Sequence, residues 1–180
     1  MAAKKRAPAK RTSGAKPRPS DGPPVAVIGA GPCGLAAAAA IEKGGMPCVV
    51  FDRGCVVSSI ASYPLYLTFF STASKIAIAD VPFALATEKP TRRDALAYYR
   101  SVVRHLGLQV RQYEPVEGIL RRRQGFVIRS RPTGGDVVQT DARAIVVATG
   151  YFGTPNALGV PGETLPHVSH LYHEGHGCFQ

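Results

Sequence analysis

Residues 25–52 read VAVIGAGPCGLAAAAAIEKGGMPCVVFD. The segment opens on the strand-forming run Val25-Ala26-Val27-Ile28 and turns at Gly29-Ala30-Gly31-Pro32-Cys33-Gly34. An alanine-rich helix follows, predicted over 35–43, and the pair Gly44-Gly45 stops it. A second strand, 48–51, ends in Asp52, 23 residues beyond Gly29. G-x-G-x-x-G between a strand and a helix, with an acid at the end of the next strand, predicts a dinucleotide-binding β-α-β unit. Each residue type has a physical reason. Gly29 permits a turn too tight for a side chain, Gly31 lets the backbone approach a pyrophosphate, and Gly34 lets the helix pack closely on the sheet. The unpaired N–H groups of the first helical turn then face the phosphates. Ala30, Pro32 and Cys33 complete that turn, and Asp52, with Arg53 beside it, faces the adenosine ribose. The Asp52 charge repels a 2′-phosphate, so the unit should hold FAD or NAD rather than NADP. Two alternatives compete. The glycines could serve packing alone in a structural crossover. The basic start and apolar run could be a secretory signal, although two glycines and a proline interrupt that run before its helical part.

Outward from this segment, length and composition set limits. A chain of 180 residues buries one good core, and 45% apolar residues make its body globular. No stretch is long and apolar enough to suggest a membrane span. The net charge of +10 is unevenly placed. Residues 1–24 hold seven Lys/Arg and one acid, giving +6, while the remaining fifteen Lys/Arg and eleven acids give +4. Basicity is therefore mainly a property of the tail. That tail is rich in Lys, Arg, Pro and Ala without a periodic apolar face, so it is expected to be disordered. It reads as a solubilising extension more readily than as a nucleic-acid or targeting arm, because no aromatic residue is interleaved with its charges. The four cysteines, Cys33, Cys48, Cys55 and Cys178, form no C-x-x-C pair. Such low cysteine use suits a reducing cytoplasm.

Residues 53–83 mix small hydroxyl and apolar side chains without helical spacing, and are expected to be mostly loop lying over the site. Thr91 is a plausible N-cap, with Asp94 in the first turn of the helix it opens. Leu96, Tyr99, Val103 and Leu106 predict that helix's apolar stripe, and Gly107 its stop. A short strand is expected at 108–111, and three antiparallel strands at 116–120, 125–131 and 137–141, with turns at Gln124-Gly125 and 132–135. Arg121-Arg122-Arg123 falls at one of these turns and reads as solvated. The apolar run in Ala144–Gly150, AIVVATG, predicts a buried parallel strand ending in Thr149-Gly150 at the ligand-binding edge of the sheet. The expected fold is therefore α/β: a Rossmann-like FAD/NAD(P)-binding domain with a parallel sheet and a small antiparallel insertion.

With that layout in hand, the chain resembles the FAD domains of flavoproteins built from two dinucleotide domains, such as thioredoxin reductases. It is most similar to the YpdA-type family of bacillithiol-disulfide or bacilliredoxin reductases. The residues that carry this are VAVIGAGPCGLAAA (25–38), 54–60, Tyr63-Pro64, TFFST (68–72), VPF (81–83), KPTR (89–92), YYR (98–100), VVATGYF (146–152), 155–156, VPGE (160–163) and LPHVSHLYHEGH (165–176). Such proteins bind FAD in this domain and NADPH in a second one, and pass hydride from NADPH through flavin to a disulfide. The resemblance implies that 25–155 is the FAD-binding domain and 156–180 a linker toward an NADPH domain absent from this sequence. The chain is accordingly expected to be a fragment, or one half of a split enzyme. Val116 is expected to meet adenine through its backbone, and Thr149 and Gly150 would close over the cofactor. The implied partners are a low-molecular-weight thiol disulfide or a bacilliredoxin-like protein, together with a further copy or a complementing chain that carries the NADPH half. The resemblance also implies that Cys33 is the thiol that engages substrate. A helix N-terminus favours a thiolate there. A flanking pyrophosphate opposes it, which leaves the alternative of a small apolar filler.

His167, His170, His173 and His176, with Cys178 beyond, have spacing that could bind zinc. Gly175 and Gly177 weaken the helix that would gather the four histidines on one side, so no metal is expected. Two further readings remain for the whole chain. One is a flavin monooxygenase or generic pyridine-nucleotide oxidoreductase. The other is a non-catalytic nucleotide-binding module with a basic tail.

Overall fold

The computed structural model describes residues 22–176. In chain order its elements are β1 (Val25–Ile28), α1 (Pro32–Lys43), β2 (Cys48–Phe51), α2 (Ser58–Ala61), α3 (Ala73–Ile76), α4 (Arg92–Leu106), β3 (Val110–Arg111), β4 (Val116–Arg121), β5 (Phe126–Ser130), β6 (Val138–Ala142) and β7 (Ala144–Val147). A parallel sheet runs β3-β2-β1-β7, and an antiparallel sheet runs β4-β5-β6. Val25 aligns with Cys48 on one side and with Ala144 on the other, so the glycine turn, the end of β2 and the end of β7 reach one edge together.

The central strands are apolar at every position because both faces are covered. Val27 and Val50 point into a core with Leu35, Ala38 and Ala39 of α1 and Tyr98, Tyr99 and Val102 of α4. Ala26, Val49 and Phe51 alternate to the opposite face and meet Ile128 and Ala142 of the antiparallel sheet. The period-two alternation of strand side chains thus builds two cores on one sheet. A buried polar cluster ties the layers beside β3. Ser130 Oγ donates to Glu114 Oε1 at 2.6 Å, while Arg111 Nη1 donates to Thr140 Oγ1 at 3.1 Å. The Arg111 guanidinium also lies over the Phe51 ring, 5.1 Å from its centre.

The Thr91 cap forms a full capping box. Asp94 N–H donates to Thr91 Oγ1 at 3.3 Å, and Thr91 N–H donates to Asp94 Oδ2 at 2.9 Å. The Thr91 hydroxyl, which donates to Asp94 Oδ2 at 2.6 Å, and then the Thr91 N–H hold the Asp94 carboxyl below its ordinary range. Gly107 ends α4 at φ +67°, as its C-cap role requires.

Four expectations need correction. Helix α1 starts at Pro32 rather than Leu35, because proline's missing N–H costs nothing in a first turn. The buried face of α4 is Ala95, Tyr98, Tyr99 and Val102, while Leu96, Val103 and Leu106 are only partly buried at its margin. Both tyrosines turn inward because their hydroxyls find carbonyl partners there. Strand β7 is parallel as expected, yet it is not buried. It lies at the edge of the sheet with only β1 beside it, and Val147 is 68% exposed. Finally, Pro23 and Pro24 belong to the body and not to the tail: their carbonyls accept from Arg143 Nε and Arg143 N–H. The rest of the predicted tail lies outside the described residues. Among those residues no helix is long and apolar enough to cross a membrane.

Candidate functional site

The three glycines of the turn meet three different constraints. Gly29 sits at φ +112°, and a Cβ there would strike the Ala148 carbonyl. A Cβ at Gly34 would strike the Gly29 carbonyl, so Gly34 allows α1 to close on the turn. Gly31 differs from both. Its φ of −73° suits any residue, and a Cβ there would meet nothing within 4 Å. It faces open space where a ligand can approach.

The backbone donors of the turn divide the same way. Gly29 N–H donates to the Phe51 carbonyl at 2.7 Å, and Ala30 N–H donates to Asp52 Oδ2 at 2.7 Å. Leu35 N–H closes the first helical bond, to Gly31. The N–H groups of Gly31, Cys33 and Gly34 have no partner among the described residues. Gly31 and Cys33 line the open space in front of the turn, so their two donors at the positive end of a twelve-residue helix are available to an anion.

Asp52 projects from the end of β2 back to this turn. Its Oδ1 accepts from Gly54 N–H at 2.7 Å and from Ser58 Oγ at 3.3 Å. The Ala30 carbonyl accepts from Val57 N–H at 3.0 Å. Val57 holds a left-handed conformation, φ 51° and ψ 44°, which a β-branched side chain adopts only under constraint. Part of that constraint comes from the next residue back: Val56 N–H donates to Gln112 Oε1 at 3.0 Å.

In front of the turn lies a cavity of about 1070 Å³. Gly29, Gly31, Pro32, Cys33, Asp52, Arg53, Val116, Thr149 and Gly150 all line it. Of the sequence-predicted site residues, Ala30 and Gly34 do not. Ala30 is fully buried with both backbone polar groups engaged, and Gly34 is turned against the Gly29 carbonyl. The Arg53 guanidinium reaches the post-β7 loop, close enough that a Cβ on Gly153 would collide with it.

Reading the sequence for motifs missed the aromatic wall of this cavity. Tyr63, Phe69, Tyr99, Tyr151 and Phe152 line it. Tyr63 stands edge-on to Phe152 at 5.4 Å, and Tyr151 stacks on Phe152 at 4.7 Å. Tyr99 Oη donates to the Ile76 carbonyl at 2.9 Å. Tyr98 Oη accepts from Ile78 N–H and donates to the Val81 carbonyl, each at 2.8 Å. The tyrosine pair thereby fixes the segment after α3 as a cavity wall. Burial, reinforced by Tyr98, Cys33 and Tyr63 nearby, pushes the Tyr99 hydroxyl up to about 12, so it stays a donor at physiological pH. Tyr99 was on the predicted apolar stripe of its helix, but no local spacing told that Tyr98 is buried beside it or that Tyr99 lines a cavity.

Cys33 is exposed and lines the cavity from the second position of α1. Cys48 is buried in β2, and desolvation, aided by Glu42, pushes its thiol up to about 11. Cys55 is half-buried and does not line the cavity. Of the histidine run, His170 Nε2 pairs with Glu163 Oε1 at 2.8 Å. Cys178 lies outside the described residues.

The arrangement fits a dinucleotide. Its volume is at the upper end for small-molecule sites. One open glycine and the two free amides of Gly31 and Cys33 can receive a diphosphate, and flat aromatic rings can receive a ring system. Among solved structures, the bacillithiol disulfide reductase Bdr (YpdA) from Bacillus cereus superposes with a TM-score of 0.86 at 42% identity, covering 88% of this chain and 49% of that one. The Staphylococcus aureus reductase of the same name gives 0.81 and 40%, covering 87% and 47%. The bacilliredoxin reductase Bdr of Bacillus subtilis (strain 168) is 42% identical over 154 residues, 85% of this chain and 46% of the relative. The chain thus spans about half the length of these relatives. Residues 26–180 match a single oxidoreductase family. The glycine turn, the parallel sheet edge and that match lead to one assignment: the chain belongs to the pyridine nucleotide-disulphide oxidoreductase family.

Proposed function

We propose that this chain is the FAD-binding portion of an NAD(P)H-dependent disulfide reductase acting on a bacillithiol-type disulfide or a bacilliredoxin-like protein. The observation that carries the reading is Gly31. Its missing side chain is required neither by its backbone angles nor by a neighbouring protein atom, and it opens on the cavity. A glycine kept only for packing would show a protein atom in its Cβ position, as Gly29 and Gly34 do.

The free N–H groups of Gly31 and Cys33 would hold the diphosphate of FAD, with Gly34 letting α1 close on the turn behind them. Asp52, Arg53 and Val116 would border its adenosine. Thr149 and Gly150 would close the edge over it, and the rings of Tyr63, Phe69 and Tyr99 would wall its apolar end. When bound, FAD supplies a reversible acceptor for two electrons and a proton. The chain's own part is to orient that group, exclude water with its aromatic wall, and present Cys33 in the same cavity as the thiol that meets the substrate. In this reading 25–155 is the FAD domain, 156–180 leads toward an NADPH-binding domain on a further polypeptide segment or a complementing chain, and the protein works in the cytoplasm. The relatives support the substrate class through the disulfides that their names carry.

The test is direct. Purified protein should be yellow or turn yellow with added FAD, and Gly31→Val should be colourless with unchanged circular dichroism. A colourless wild type that takes up no FAD would overturn the reading. Loaded protein completed with an NADPH-binding half should reduce a disulfide without consuming oxygen. Oxygen consumption instead would favour a monooxygenase.

A further inference from the structure

The geometry points to Asp52 as a positioning residue whose carboxylate serves the protein's own backbone, locking the glycine turn in its anion-binding form before any ligand arrives. This rests on the dinucleotide-site reading above and changes what Asp52 does within it. The carboxylate accepts from Ala30 N–H at 2.7 Å through Oδ2, and from Gly54 N–H at 2.7 Å and Ser58 Oγ at 3.3 Å through Oδ1. An ionised carboxylate offers about four acceptor positions, so most of its capacity is used inside the protein. Bonds from neutral donors to a charged acceptor are among the stronger hydrogen bonds in proteins.

The bonds form a closed circuit. Asp52 joins Ala30 of the turn to Gly54 and Ser58, and Val57 N–H returns to the Ala30 carbonyl at 3.0 Å. Val57 stays in its left-handed conformation inside this circuit. With both its polar backbone groups engaged, Ala30 is removed from the set of phosphate donors. The N–H groups of Gly31 and Cys33, both lining the cavity, are left without a partner among the described residues. Asparagine at position 52 could still accept from Gly54, but its amide nitrogen would confront the Ala30 N–H, donor against donor. Losing the carboxylate should therefore weaken the grip on diphosphate even for a ligand with no ribose hydroxyls.

Two measurements test this. The first compares ADP with the ADP analogue that lacks both ribose hydroxyls, on wild type and Asp52→Asn. The substitution should weaken both ligands by the same factor, about tenfold or more. It should also speed amide exchange at Ala30 and Gly54 in the ligand-free protein. Weaker ADP binding with unchanged analogue binding and unchanged exchange would make Asp52 a ribose ligand only, and overturn the proposal. The second measurement needs no variant. Nuclear magnetic resonance of the ligand-free wild type should show scalar coupling across the hydrogen bonds from the Ala30 and Gly54 amides to the Asp52 carboxyl carbon. Its absence at both amides would overturn the proposal even if Asp52→Asn fails to fold. Failure of wild type to bind ADP would sink the dinucleotide reading alone, because the coupling and exchange still report on the circuit.

Discussion

Gly31 has backbone angles open to any residue, so replacing it tests the cavity and not the turn. Gly31→Val should keep the wild-type melting temperature and lose FAD affinity by at least about tenfold, because the branched side chain occupies the space the diphosphate needs. Gly34→Val should instead lower the melting temperature of the ligand-free protein, since its Cβ would meet the Gly29 carbonyl. A thermal scan beside an FAD titration separates the two. The cysteines are told apart in the same way. At neutral pH iodoacetamide should modify exposed Cys33 and spare Cys48, whose thiol is buried and pushed up to about 11. Added FAD should protect Cys33, as peptide mass mapping would show. A Cys33 that alkylates no faster than a free model thiol would be a spectator beside the cofactor. The glycine spacing and Asp52 were legible in the sequence because their positions within one β-α-β unit form a pattern along a short stretch of chain. That Asp52 spends its oxygens on Ala30, Gly54 and Ser58 was not, because those donors converge only once the chain has folded back through the segment after β2.

Among the elements, the short helices depend most on distant parts of the chain. Helix α2 has four residues, too few to persist alone. Arg92, in the first turn of α4, holds its C-terminal end: Nε donates to the Ile60 carbonyl at 3.2 Å and Nη2 to the Ala61 carbonyl at 2.5 Å. Arg92→Ala should cost about 2 kcal/mol of stability, as for bonds to a charged group. It should also weaken FAD binding, because Ile60 and Tyr63 line the cavity. Lys at this position carries charge without the fork and should restore only part of the loss. Urea unfolding and flavin titration on the three proteins check this. Helix α4 was visible from its ends inward, through Thr91, Asp94 and Gly107, and the predicted cap holds. Its buried face was only partly visible: Tyr99 lay on the predicted stripe, but the stripe that is buried, Ala95, Tyr98, Tyr99 and Val102, is shifted by one residue, and the backbone partners of both tyrosine hydroxyls come from Ile76, Ile78 and Val81.

At the scale of the whole molecule, the post-β7 segment is held by polar contacts. Glu163 accepts from Leu158 N–H at 2.9 Å and Gly159 N–H at 2.7 Å, and pairs with His170. The Leu158 amide first, then His170 and Gly159, hold its carboxyl down at about 2. A carboxyl depressed in the folded state contributes fully above its ordinary value and loses that contribution as pH falls through the depressed one. The Gly159 amide resonance should therefore stay constant from neutral pH down through the ordinary carboxylate value of 4.5, and shift only as pH falls toward about 2. Glu163→Gln should abolish that titration. The sequence alone determined the β-α-β unit, the alternation of strand and helix, the glycine turn and the antiparallel insertion, because each is written in residues a few positions apart. Tertiary structure alone decided that β7 is an exposed edge, that five aromatic rings from distant segments form one wall, and that Asp52 turns inward. The physical reason is shared: burial, edge position and hydrogen-bond partnership depend on which distant segments arrive beside a residue, and no local spacing records that.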